Sequence, residues 1–171
     1  MAIGQGYAEQ DCSLARALEI VGERWTLLIV RDSLFGVRRF SDFEHHLSMS
    51  KAVLTQRLSM LVDNGLLQRE PVGGREEYAP TDALVGLWPV LHALTEWGER
   101  VAPAPGGPRR LFRHAACGTR LDGHGRCSVC DVVPAASAVE MHPGPGMSGS
   151  PRPGAVSRAL RDTKRLVDPI R

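Results

Sequence analysis

Aromatic residues are scarce in this sequence: three Trp, two Tyr and four Phe supply 5% of 171 residues. Glycine and proline are not, at 18 and 12, and many of them crowd beyond residue 102. That composition predicts one well-buried main core with at most a small satellite, and a poorly packed second half. No run of about 18 apolar residues is present, which excludes a membrane-spanning helix. Residues 1–11 lack the basic patch and apolar stretch of a secretion signal. A soluble, cytoplasmic protein is the expectation. The formal net charge is only +2 and by itself points to no partner. Signatures of a metal hydrolase, HExxH or HxE, do not occur, and His45-His46 is an adjacent pair on a predicted helix whose rings diverge. The Cys-x-x-Cys pair lacks the β-α-β context of a thiol oxidoreductase. The sequence therefore reads as a non-enzyme.

What is present is organised. Residues 1–104 carry 10 Lys+Arg against 14 Asp+Glu, a net of −4, and residues 105–171 carry 11 against 5, a net of +6. Apolar residues Leu14, Ala17, Leu18 and Val21 recur at three and four, which predicts a helix closed by Gly22. A mostly buried helix over Arg24–Leu34 follows, then a third over Phe40–Leu47 with Ser41 as its cap and Glu44 three residues on. A fourth carries Leu54, Leu58, Leu61 and Val62 on one face and Ala52, Gln56, Ser59 and Asp63 on the other. Leu66–Val72 and Glu76–Ala79 read as a hairpin across Gly73-Gly74. A final helix begins near Thr81, with Pro89 marking a kink or a late start.

Short helices followed at once by a Gly-tipped hairpin give the order of a winged helix-turn-helix. A recognition helix buries one stripe and presents small polar groups to base edges. Ser50, Lys51, Thr55 and Gln56 meet that need. Arg57 at the margin of the buried stripe, Arg38 and Arg39 before the third helix, and Arg75 at the hairpin tip are candidate phosphate contacts. The partner would be double-stranded DNA.

His114-x-x-Cys117 and Cys127-x-x-Cys130 are two pairs of equal spacing separated by nine residues. Each such knuckle sets both donor atoms on one side of a tight turn, and two of them close a tetrahedron around a structural zinc. Gly118, Gly123 and Gly125 supply turns. His124 or His142 are alternative fourth ligands, and free thiols or a labile Cys127–Cys130 disulfide are the readings without metal. Cys12 stands apart at a predicted helix start, where backbone amides favour a thiolate and Arg16 adds to the pull, whereas Glu9 and Asp11 oppose it. Packing as a small apolar residue is its other reading.

The fold class expected is mainly α with a small β-hairpin wing, a winged helix-turn-helix followed by a zinc-ribbon-like Cys/His appendage. Residues 1–102 form the DNA-binding and dimerisation domain, 103–112 a linker, 113–141 the appendage and 142–171 a Pro/Gly-rich, basic, disordered tail. Within that tail 156–167 has the composition of one basic helix. A zinc-containing adaptor that binds protein rather than DNA is the alternative function.

Cys12-Ser-Leu-Ala-Arg-Ala-Leu18, Gly22-Glu-Arg-Trp-Thr-Leu-Leu28, Arg38-Arg-Phe40, Leu54-Thr-Gln-Arg-Leu58 and Asn64-Gly-Leu-Leu67 resemble the HxlR family of regulators. The resemblance continues through Tyr78-Ala-Pro-Thr81 and Leu94-Thr-Glu-Trp-Gly98. It implies a MarR-like, homodimeric DNA-binding fold, most often a repressor, that reads an inverted repeat. It implies too that the first and last helices pair across a two-fold axis, leaving Leu14, Leu18, Trp88, Leu91 and Trp97 as interface or as core. In several such regulators a cysteine at the position of Cys12 senses oxidants or electrophiles, which makes Cys12 the redox-sensor candidate.

Overall fold

The computed structural model describes residue 7, residues 9–147 and residues 153–171. Helix α1 (Ser13–Val21) is followed by α2 (Thr26–Leu34), α3 (Phe40–Leu47) and α4 (Lys51–Asp63). The three- and four-residue spacing of apolar positions decides what each helix buries. Ile29, Val30 and Leu34 of α2, Phe43 and Leu47 of α3, and Leu54, Leu58 and Leu61 of α4 meet in one core. Buried Asp32 ties α2 to α3, because it accepts from His46 Nδ1 at 2.7 Å and from Arg31. His46 is thus a packing residue, whereas His45 stays exposed and donates to the Pro153 carbonyl at 2.9 Å. Ser41 does not cap α3, since the helix starts at Phe40 and the cap position, two residues before Ser41, is Arg39.

The Leu66 amide returns to the Leu61 carbonyl at 2.8 Å and turns the chain into β1 (Leu67–Val72). This strand pairs antiparallel with β2 (Arg75–Pro80), from Leu67 opposite Pro80 to Val72 opposite Arg75. The expected final helix is two. Thr81 caps a single turn, α5 (Asp82–Val85), and α6 runs from Trp88 to Val101 with Pro89 in its first turn, where a missing N–H leaves no broken bond. Among the described residues no helix is long and apolar enough to cross a membrane.

Beyond α6 the expected linker, appendage and tail give way to one small sheet. Strand β3 (Arg110–His114) starts inside the predicted linker, and β4 (Val139–Pro143) crosses the predicted boundary at 141. The sheet order is β3-β4-β5, with β5 at Lys164–Arg165, and both pairings are antiparallel. The predicted helix over 156–167 is reduced to α7 (Ala155–Ala159), because the chain then extends to pair with β4. Disorder does not describe residues 142–147 and 153–171. Val156, Leu160 and Leu166 are buried there and join Phe112, Val139 and Met141 in the common core. The disorder expected of residues 148–152 lies outside the described residues.

The C-terminal segment then braces the loop between α2 and α3. Val167 donates its amide to the Leu34 carbonyl at 2.6 Å, and Ile170 to that of Gly36 at 2.8 Å. Gly36 has φ +95°, and a Cβ there would lie 2.0 Å from the Asp168 carbonyl oxygen. No other residue type fits this crossing.

Candidate nucleic-acid interface and metal centre

Helix α4 starts cleanly because Ser50 accepts the Val53 amide through its hydroxyl at 3.4 Å. With Leu54, Leu58 and Leu61 turned inward, Ser50, Lys51, Thr55 and Gln56 are all exposed. The first two turns therefore offer a hydroxyl, an ammonium, a second hydroxyl and an amide, with no acidic side chain between them. Arg57 is half-buried and pairs with Glu23 at 3.3 Å. Arg39 pairs with Glu77 of the hairpin at 3.2 Å, and Arg75 is exposed at the hairpin tip. Each of these ion pairs has an exposed member and is weak enough to be exchanged for a phosphate.

Arg38 departs from expectation. Its side chain is buried, and its guanidinium donates to the Ser33 carbonyl at 2.7 Å, to the Val37 carbonyl at 3.0 Å and to the Val167 carbonyl. Burial lowers its pKa, opposed by the charges of Glu77, Glu70 and Asp168. Arg38 is thus the clasp of the C-terminal brace and is not placed to reach a phosphate. Adjacent arginines are indistinguishable in sequence, and only the return of Val167 separates their roles.

The four predicted ligands converge. Donor atoms of His114, Cys117, Cys127 and Cys130 all lie within 4.8 Å of one another, and neither His124 nor His142 belongs to the group. Cys117 Sγ is 3.6 Å from His114 Nδ1 and 3.4 Å from Cys127 Sγ. A tetrahedron with Zn–S bonds of ~2.3 Å separates its sulfurs by about 3.8 Å, so the donor set fits that ion. The knuckles share one geometry. The Gly118 amide returns to the His114 carbonyl at 2.8 Å, and the Asp131 amide to the Cys127 carbonyl at 2.9 Å. Gly118 and Asp131 hold equivalent positions with φ +70° and +57°, and Asp is among the side chains that tolerate this region.

Hydrogen bonds divide the thiols. Cys117 is lowered to about 6 by the Thr119 hydroxyl and amide, while Cys130 is pushed up to about 11 by its hydrogen bond with Cys117 and by burial. The loop between the knuckles is organised by Asp122, whose carboxylate accepts the Arg126 and His124 amides, both at 2.9 Å. These bonds hold it below the usual carboxylate range. Buried His92 of α6 donates Nε2–H to the Asp122 carbonyl at 2.8 Å, so the loop is moored to the helical body. Thr119, Asp131 and His92 were not legible as parts of this centre. A hydroxyl next to a knuckle is common, and nothing in the spacing links residue 92 to residue 122.

Cys12 is exposed at the N-cap of α1 with its side chain making no cap bond. The five residues left open between core and interface now divide. Trp88 and Leu91 are 3% and 8% exposed, whereas Leu14, Leu18 and Trp97 are 65%, 38% and 56% exposed.

A model of HxlR-like helix-turn-helix domains matches residues 20–105, half of the chain. An uncharacterized HTH-type transcriptional regulator of Mycobacterium tuberculosis is 42% identical over 137 residues, covering 78% of this chain and 87% of the relative. An alignment of that length cannot end at residue 105 and extends into the C-terminal sheet. A second regulator of this description, from Bacillus subtilis, is 36% identical over 86 residues, 48% of this chain and 80% of its own. Among solved structures, PA1607, a candidate transcription factor, superposes with a TM-score of 0.56 at 37% identity, covering 59% of this chain and 72% of that one.

Proposed function

The chain belongs to the HxlR-like helix-turn-helix family of transcriptional regulators, and on that premise we propose that it acts as a homodimeric repressor reading an inverted-repeat operator. The observation that carries this reading is the exposed polar face of α4, Ser50, Lys51, Thr55 and Gln56, free of acidic groups and backed by a fully buried leucine stripe. Support for the dimer comes from α6, where Val90, Leu94, Trp97 and Val101 recur at helical spacing and are each 45–57% exposed. Leu14 and Leu18 add to the unpartnered apolar surface on α1. A two-fold axis through these helices sets two α4 copies against half-sites about one helical turn apart.

His114, Cys117, Cys127 and Cys130 would hold a structural zinc. The ion supplies a four-way cross-link between the knuckles, with every position of the tetrahedron filled by protein. Thr119 and the Asp131 turn orient the donors, and His92 fixes the loop.

The test is binding of the purified protein to its own promoter fragment over a series of salt concentrations. Affinity should fall steeply with salt, Lys51→Ala should lower that slope by about one, and Gln56→Ala should change preference among operator variants by ~1–3 kcal/mol. Absence of salt-dependent binding to the promoter overturns the reading.

A further inference from the structure

A cavity of about 520 Å³ lies between α2, α6, β3 and the end of α7, where the helical body meets the C-terminal sheet. Its apolar lining comes from both regions, Leu28, Phe35, Leu91 and Leu94 on one side and Phe112 and Leu160 on the other. The volume is within the ~300–1,000 Å³ of small-molecule sites. Its charge is unbalanced. The lining carboxylate, Glu99, is engaged by Arg109 at 2.9 Å, and Asp32 behind the wall is engaged by Arg31 and His46, each at 2.7 Å. Arg110, which also lines the cavity, has no carboxylate partner among the described residues. The acceptor it meets is the Leu160 carbonyl. Burial first, then the guanidinium charges of Arg31 and Arg161, lower its pKa, which marks a cation held against desolvation and repulsion.

We propose that this cavity binds a small amphipathic carboxylate, its apolar body between Leu28, Leu91 and Phe112 and its anionic group on Arg110 and Arg31. A bound carboxylate replaces the missing counter-charge of Arg110 and offers the planar acceptor pair that a guanidinium fits. A neutral molecule of the same shape gains the apolar contact and leaves Arg110 unpaired. The site depends on Arg110, Phe112 and Leu160, all outside the residues matched by the family model. It also bridges the element that would carry metal and the helices that carry α4, so its occupant would favour one relative placement of the two.

The probe is 2-naphthoate, titrated calorimetrically into the full-length protein as purified, beside the uncharged 2-naphthalenemethanol. Neither measurement requires DNA, so failure here leaves the regulator reading untouched. One naphthoate per chain should bind, the alcohol should bind at least tenfold more weakly, and Arg110→Gln should lose at least tenfold for naphthoate with little change for the alcohol. Because that variant also loses the bond to Leu160, wild-type protein gives a second readout: amide resonances of Leu28, Arg110 and Phe112 should shift on adding naphthoate. Equal binding of acid and alcohol, no saturable binding of the acid, or shifts confined to other parts of the chain would each overturn the proposal.

Discussion

From Thr26 to Leu91 the chain closes on Ile29, Val30, Leu34, Phe43, Leu54, Leu58 and Leu61, all at most 1% exposed, with no cross-link. From Arg110 to Leu166 a five-residue strand pair and a two-residue third strand enclose fewer apolar side chains, and four donor atoms gather at one end of β3 with two of their residues exposed. The first region buys its shape with hydrophobic area; the second has less of that, and the zinc proposed for it would add a cross-link. The regions nevertheless share one seam. The Phe112 ring stands 4.9 Å edge-on from Trp88 and 5.4 Å from His92, between centroids, and Phe35 lies at 6.4 Å. The smaller sheet is thereby seated on the helical part of one common core.

The largest effect expected is that of metal removal. Structural zinc sites carry apparent binding energies of ~10–16 kcal/mol in small peptides, so stripping the ion, or Cys127→Ser, should release the sheet. Hydrogen exchange is the measurement: amides of residues 110–143 should lose protection while those of α2 and α4 keep it. Equal loss in both regions would abolish the distinction drawn between them, and zinc at well below one per chain in untreated protein would remove its basis. Phe43→Ala makes the converse cut. Deleting this fully buried ring should cost ~3–5 kcal/mol in chemical denaturation and leave metal content unchanged.

Smaller effects probe the seam and the surface. Gly36→Ala forces a side chain into the left-handed region and against Asp168, which should cost about 1–3 kcal/mol. The same variant should expose the C-terminal residues to carboxypeptidase, and unchanged resistance would show that the brace does not depend on this crossing. Cys12→Ser, at an exposed position, should move stability by less than ~0.5 kcal/mol. Its value lies in separating the thiols. If Cys12 is the sensor, diamide should weaken operator binding of the wild type and spare this variant, with zinc release followed in both, and equal loss would remove Cys12 from that role.

How much of this was readable beforehand depended on periodicity. Helices α1, α2 and α4 follow from apolar residues that fall on one side of each, α3 from the polar segment opened at Ser41 and Glu44, the hairpin from its Gly73-Gly74 turn, and the ligand set from spacing that repeats between two knuckles. The C-terminal sheet was not readable, because the alternation in each strand spans only two buried positions, Phe112 and His114 in β3 and Val139 and Met141 in β4, a run too short to stand out from a loop. Long-range pairing, not local propensity, makes 164–165 a strand. Trp88 and Trp97 look alike as members of an apolar stripe. They separate only when Phe112 arrives to cover the first. Arg110 in the cavity and Arg38 in the brace were lost for the same reason, since each is defined by a partner far away in sequence.

Arg38 and Val167, joined by one hydrogen bond, lie 129 positions apart. At a synthesis rate of ~5–20 residues per second, roughly 6–26 s separate their emergence from the ribosome. The two other acceptors of the Arg38 guanidinium, the Ser33 and Val37 carbonyls, lie within five residues of it and are synthesised before that interval begins. Ser50, Lys51, Thr55 and Gln56 are therefore all synthesised well before Val167, the residue that closes the clasp on Arg38.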